Sequence, residues 1–354
     1  MEKTLDQDRV KEFLERVMID SGAALAGLCT SIGARLGLYE AMAGAGPLTS
    51  GELAARTGLD ERYVREWLAS QVAGQYVHYE PGTDTYAFPD EHAAVLADRA
   101  SPAYSAGAFA MLQPLYATED ALVEAYRTGG GVGWEEHGPA LYEGVATFFL
   151  PGYAAFLVQE WLPAMDGVVE GLERGMSVAD VGCGFGHSTL LMAHAYPDSR
   201  FHGFDFHGPS VESARRAAQE QGLADRVTFE VAGAGDFPGG DYGLITFFDC
   251  LHDLGDPGAA FRRAARTLAA DGACLIVEPN AAAAPQDNIN PLGRAFTATS
   301  ATLCLPGALA QKGPYALGNH AGEDALRRIA YEAGLRTWKL AAEGPANRVY
   351  DARR

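Results

Sequence analysis

The chain has 354 residues, and 46 acidic side chains against 27 basic ones leave a formal net charge of −19. Such a surface repels nucleic-acid phosphates and anionic membranes rather than gathering them, and the length allows two domains with cores of their own. Five cysteines, Cys29, Cys183, Cys250, Cys274 and Cys304, are scattered with no CxxC pair, so neither a disulfide framework nor a zinc-ligand spacing is expected.

The first eight residues are acidic and polar, without the basic-then-apolar order of a secretory leader, so a cytoplasmic location is expected. Residues 23–45 are rich in small side chains but interrupted by Ser31, Arg35, Glu40 and several glycines, too polar for a membrane span. Helical patterning fills 6–45. Leu48-Thr49-Ser50 then caps a short helix over 51–57, Gly58-Leu59-Asp60 makes a turn, and 61–71 forms a second helix. Alternating segments at 76–79 and 85–88, joined by Pro81-Gly-Thr-Asp84, complete a winged helix-turn-helix. Between Thr49 and Glu80, however, Arg56, Arg62 and Arg65 face Glu52, Asp60, Glu61, Glu66 and Glu80. An acidic reading head gathers no phosphates, so no nucleic-acid partner is expected. The apolar helices before it point instead to a homodimer formed through residues 1–100.

Residues 101–170 read as a helical, aromatic-rich linker and substrate cover. The glycines of the break at 128–138 imply a mobile loop carrying Trp134 and His137, which with Tyr153 are candidate substrate contacts. From 171 onward strands and helices alternate: strands at 177–181, 200–206, 227–232, 242–250 and 273–278, helices between them, and two closing strands at 337–342 and 347–352. This pattern predicts an α/β, doubly wound Rossmann-like sheet with its ligand crevice at the carboxyl ends of the strands.

The first of these strands ends in Asp180-Val-Gly182-Cys183-Gly184-Phe-Gly186. Glycines at alternate positions let the backbone turn tightly and approach a ligand without a Cβ in the way. The Asp180 carboxylate would repel a pyrophosphate, whereas S-adenosylmethionine (SAM) carries no phosphate but a sulfonium and an ammonium. Asp205 closes the second strand, where an acceptor for two ribose hydroxyls belongs; the alternative is a cap for the helix that follows.

These segments, with Gly203-Phe-Asp205, Phe247-Phe-Asp-Cys-Leu-His-Asp253, Glu278-Pro-Asn280 and the tail 347–354, resemble the class I SAM-dependent methyltransferases. Over its whole length the chain is similar to the bacterial small-molecule members that carry an N-terminal winged helix. The resemblance implies a seven-stranded sheet closed by an antiparallel hairpin, SAM as cofactor, and a small-molecule substrate. It places cofactor contacts at Asp180, Gly182, Cys183, Gly184, Gly186, Asp205, Phe206, Phe248 and Asp249. The acid that often reads adenine is replaced here by Gly233, so adenine falls to backbone groups near Gly233 and Ala234 or to Asp236. His252 occupies the position of the general base in plant-type O-methyltransferases; an unperturbed imidazole suits that task, and the alternative is a pocket wall. The insertion at 279–321 reads as a lid, with Asn288 and His320 as substrate ligands or as satisfiers of the loop's own backbone. No magnesium or iron spacing stands out, so no metal is expected. Oxygen or carbon methylation of an aromatic metabolite is favoured over nitrogen; the alternative function is a SAM-sensing winged-helix regulator that binds DNA.

Overall fold

The computed structural model describes residues 5–354, which divide into two compact units. The first comprises the chain up to Gln113 together with Glu143–Pro151. The second comprises Pro114–Tyr142 and Gly152–Arg354, so the stretch 101–170 is shared between the two.

In the first unit a long helix, Gln7–Arg35, starts at Asp6, whose carboxylate accepts from the N–H groups of Asp8 and Arg9. The helix Ser50–Thr57 opens with a reciprocal Thr49–Glu52 capping box and stops at Gly58, whose φ of 69° is the left-handed conformation that ends helices. Glu61–Ala73 follows, and strands β1 (His78–Glu80) and β2 (Thr85–Ala87) pair as the wing. Tyr39, Leu53, Trp67, Leu68 and Phe88 form the core. Gly33 has no room for a side chain there, since a Cβ would lie 2.5 Å from the Trp67 ring. The long helix is less well covered: Val10, Phe13, Leu14, Val17, Met18, Leu25 and Leu28 are all exposed, Leu25 by 76%. By length and composition, this helix and the helical run Pro139–Trp161 are apolar enough to cross a membrane.

The second unit holds a seven-stranded sheet in the order β5-β4-β3-β6-β7-β9-β8. Its strands are β3 (Ser177–Val181), β4 (Arg200–Asp205), β5 (Val227–Val231), β6 (Tyr242–Phe248), β7 (Leu268–Pro279), β8 (Thr337–Glu343) and β9 (Asn347–Arg353). The first five are parallel, and β9 runs antiparallel to both β7 and β8. Successive residues of β7 alternate between two apolar clusters, Ala273, Leu275 and Val277 in one and Cys274 and Ile276 in the other. Period-two alternation with both sets buried is the mark of a strand covered on both faces. The chain enters the sheet at β3, builds outward to β5, then returns to β6 on β3's other side. That reversal leaves a crevice beyond the carboxyl ends of β3 and β6, where open α/β sheets bind ligands.

Candidate active site

Each glycine after β3 has its own physical reason. Gly182, Gly184 and Gly186 have φ of 77°, 51° and 77°, a region that side chains disfavour. A Cβ at Gly182 would meet Cys250 Sγ at 2.9 Å and one at Gly186 the Phe229 ring at 2.6 Å, whereas one at Gly184 would meet nothing within 4 Å. Gly184 is therefore the glycine that faces open space. Its N–H donates to Asp205 Oδ2 at 2.9 Å, and the His207 N–H donates to Asp205 Oδ1 at 2.8 Å. Asp205 thus ties the loop to the end of β4; it makes no side-chain cap for the helix Gly208–Glu220. Burial pushes its carboxyl above the usual range, against the pull of those two N–H donors.

Asp180 is placed differently from the expectation of a cation-facing carboxylate. It is 1% exposed, with Ser188 and Thr189 hydroxyls donating to Oδ2 at 2.7 and 2.6 Å and Thr246 to Oδ1 at 2.9 Å. Those three bonds use most of its acceptor capacity, so it braces the loop against the next helix. Cys183 is likewise turned inward: its sulfur lies 3.0 Å from where a Gly203 Cβ would stand.

Beside Asp205 the chain assembles an aromatic wall. Tyr142 packs its ring edge to face with His207, centroids 4.3 Å apart, and stacks on Trp134 at 5.4 Å. Phe206 is 53% exposed next to it. Trp134, expected on the substrate, is thus joined to the Asp205 side of the crevice. The Ala232 N–H donates to Asp205 O, which brings the turn of Gly233 and Ala234 to the same place. A Cβ at Gly233 would stand 2.9 Å from Asp236 Oδ1. Asp236 therefore delivers a carboxylate to the spot that an acid at 233 would occupy.

At the end of β6 the backbone turns at Asp249, whose φ is 49°, a left-handed conformation uncommon outside glycine but open to aspartate. Asn347 Nδ2 donates to its Oδ1 at 2.8 Å and Tyr153 Oη to its Oδ2 at 3.2 Å. Burial, with Glu278 nearby, pushes its carboxyl up to about 8. Phe248 closes the apolar side against Tyr153 and Trp161, with centroids 5.3 and 6.4 Å away.

His252 lies in the single 3-10 turn Leu251–Asp253 and is 5% exposed. Its Nδ1 is 2.6 Å from Glu278 Oε2, and its Nε2 is 3.3 Å from Asp253 Oδ1. Burial alone would push the imidazole down, but the Asp253 and Glu278 carboxylates outweigh it and hold the ring well above the usual histidine range. Of the two sequence readings, a base and a pocket wall, neither has an unperturbed ring: the two carboxylates that flank His252 shift it away from the ordinary histidine. Glu278, fixed in turn by the Leu251 N–H at 3.1 Å, completes the site and was missed. Its signal was an acid ending an otherwise apolar buried strand beside β6.

Two further expectations, the loose loop and the open His137 that it carries, are corrected. The glycine-rich segment 128–138 is pinned rather than loose: a Cβ on Gly131 would stand 2.1 Å from Ala310 N, the Val132 N–H donates to Pro306 O at 3.1 Å, and Trp134–His137 forms a 3-10 turn. His137 is buried with its Nδ1 3.3 Å from Thr118 Oγ1. Of its two sequence readings Asn288 takes the second, satisfying its own loop: it accepts from the Ala282 N–H at 3.0 Å and donates to Ala282 O at 2.7 Å. The insertion around it is largely helical, through Pro291–Thr299, a π-turn Ser300–Cys304, and Leu305–Ala310. Its far end is where His320 sits, with its Nδ1 buried and lacking a hydrogen-bond partner.

The strand order of the second unit is that of the class I methyltransferase fold, and the first unit has a winged-helix fold. Residues 172–334 match a family model described as a methyltransferase domain, and residues 23–98 match the Rv2258c-like winged HTH domain. Among curated proteins, the chain is 32% identical over 169 residues to ajmaline N-methyltransferase of Rauvolfia serpentina, covering 45% of this chain and 57% of the relative. It is 31% identical over 132 residues to the probable chloroplastic tocopherol O-methyltransferase of Oryza sativa subsp. japonica, covering 34% and 36%. The matches therefore span about half of these relatives or less. Over nearly its whole length the fold is that of the mitomycin 7-O-methyltransferase MmcR (TM-score 0.70, 19% identity, 99% of this chain and 100% of the other). It also superposes on human N-acetylserotonin methyltransferase, solved in complex with SAM (TM-score 0.69, 19% identity, 100% and 99%).

Proposed function

We propose that this chain transfers a methyl group from SAM to a small, flat acceptor, at oxygen or carbon in preference to nitrogen. The observation that carries the reading is the open, left-handed Gly184 locked to Asp205 at the sheet's reversal point. The donor set fits the cofactor: Asp205 keeps lone pairs for ribose hydroxyls, the Tyr142–His207 wall and Phe206 suit adenine, and Asp249 is a buried carboxylate whose two bonded neighbours, Tyr153 and Asn347, are neutral. The ammonium of the methionine end suits that carboxylate. SAM supplies a methyl carbon on a sulfonium leaving group, so the chain contributes alignment and exclusion of water. Tyr153, Trp161 and Phe248 provide aromatic surface for a flat acceptor. The Glu278–His252–Asp253 array holds charge and a proton beside it.

The same reading makes the winged helix a dimerisation module of a cytoplasmic enzyme of secondary metabolism. Arg62 and Arg65 are each bonded to a glutamate one turn away, Glu66 and Glu61, which leaves little free positive charge for DNA. A second copy of the chain would cover the exposed apolar face of Gln7–Arg35. Turnover of SAM with phenolic test acceptors, read by mass spectrometry, tests the activity; a salt-dependent shift of DNA fragments without turnover would favour the regulator instead.

A further inference from the structure

We propose that His252, Asp253 and Cys304 are the protein ligands of a zinc-class divalent metal site, with Glu278 as its outer partner. One donor atom from each of the three lies within 4.8 Å of the others. Glu278 occupies His252 Nδ1, which leaves Nε2 as the ligand atom, 3.3 Å from Asp253 Oδ1. Zinc bonds of about 2.0–2.1 Å at the tetrahedral angle put nitrogen and oxygen ligands roughly 3.4 Å apart, so this edge is already formed. Asp253 Oδ1 is buried beside His252 Nε2 and the Cys304 thiol, and a carboxylate oxygen there keeps lone pairs for a cation. Cys304 ends the π-turn Ser300–Cys304, and its side chain is 4% exposed. Single π-turns inside helices mark functional sites because the extra residue re-aims a side chain. Carboxylate on histidine on metal is the usual outer support of a histidine ligand, fixing which ring nitrogen binds.

The sulfur selects the chemical class: thiolate with imidazole and carboxylate suits zinc and not magnesium or calcium. Binding displaces the protons of Nε2 and of the Cys304 thiol. Three protein ligands leave a fourth position, and an acceptor hydroxyl or thiol there would lose its proton near neutral pH. That last consequence rests on the proposed methyl transfer; the metal site does not.

The experiment loads the full-length protein with zinc, removes excess by gel filtration and measures bound metal, then repeats with cobalt and records the visible and near-ultraviolet spectrum. One metal per chain and a sulfur-to-cobalt charge-transfer band are expected. Cys304→Ser should abolish the band, and Glu278→Gln should weaken zinc about 10- to 100-fold. Calorimetry with S-adenosylhomocysteine on the same samples reports separately on folding and on the methyltransferase reading. Wild-type protein that binds S-adenosylhomocysteine yet retains no stoichiometric metal overturns the site, as does a Cys304→Ser variant that keeps the band. Metal bound without S-adenosylhomocysteine would leave the site standing and remove the methyl-transfer reading.

Discussion

The N–H of Gly184 donates to Asp205 Oδ2 at 2.9 Å, joining the glycine loop after β3 to the acid that ends β4. Because a side chain at 184 would project into open space, that position separates folding from binding. Gly184→Asp should still fold, at a cost of about 1 kcal/mol for a side chain in left-handed backbone, while SAM binding falls at least tenfold by calorimetry. Asp205→Ala should lower both, because two backbone N–H groups lose their acceptor at about 1–3 kcal/mol each. Equal SAM affinity in Gly184→Asp would place the ligand elsewhere.

Pairing of Asp249 with the cofactor's ammonium would make binding proton-linked. With its carboxyl pushed up to about 8, it is protonated in the free protein at neutral pH, and pairing with an ammonium requires the ionised form. Binding therefore releases a proton below that pH, and affinity should rise with pH by at most about tenfold per unit. Titration calorimetry between pH about 6 and 7.5, below the range in which an α-ammonium itself deprotonates, should show the rise; Asp249→Asn should bind more weakly and flatten it. A wild-type affinity independent of pH would count against the pairing.

Gly131 pins the segment 128–138 to the helix Leu305–Ala310. An added methyl would meet backbone atoms of Ala310 and Pro306, neither of which can rotate away, so Gly131→Ala should destabilise by roughly 1–3 kcal/mol. Chemical denaturation measures this, and an unchanged midpoint would show that the segment is loose after all.

How much of this was legible beforehand depended on sequence distance. The glycine loop and Asp205 could be read because positive φ and a strand-ending acid leave local marks. The sheet could be read from alternation, and its closing antiparallel hairpin of β8 and β9 only from the family resemblance. The partners of Asp249 and His252 could not: Tyr153, Asn347, Glu278 and Cys304 come from segments far apart in the chain, and strand order alone brings them together. For the same reason His252 read as an ordinary histidine. The 128–138 loop misled because glycines mark irregular backbone without saying whether it moves or what it touches.

The exposed apolar face of Gln7–Arg35 predicts self-association. Light scattering at micromolar concentration should give the dimer mass, and Phe13→Glu with Leu25→Glu, both at exposed positions, should give the monomer without unfolding it. A monomeric wild type would refute the dimer.

The central claim is that the crevice beyond β3 and β6 takes SAM. Isothermal titration of the folded full-length protein with SAM and with S-adenosylhomocysteine tests it most directly. One saturable site per chain is expected for both ligands, weakened by Asp205→Ala. Failure of both to bind a protein shown by circular dichroism to be folded would contradict it.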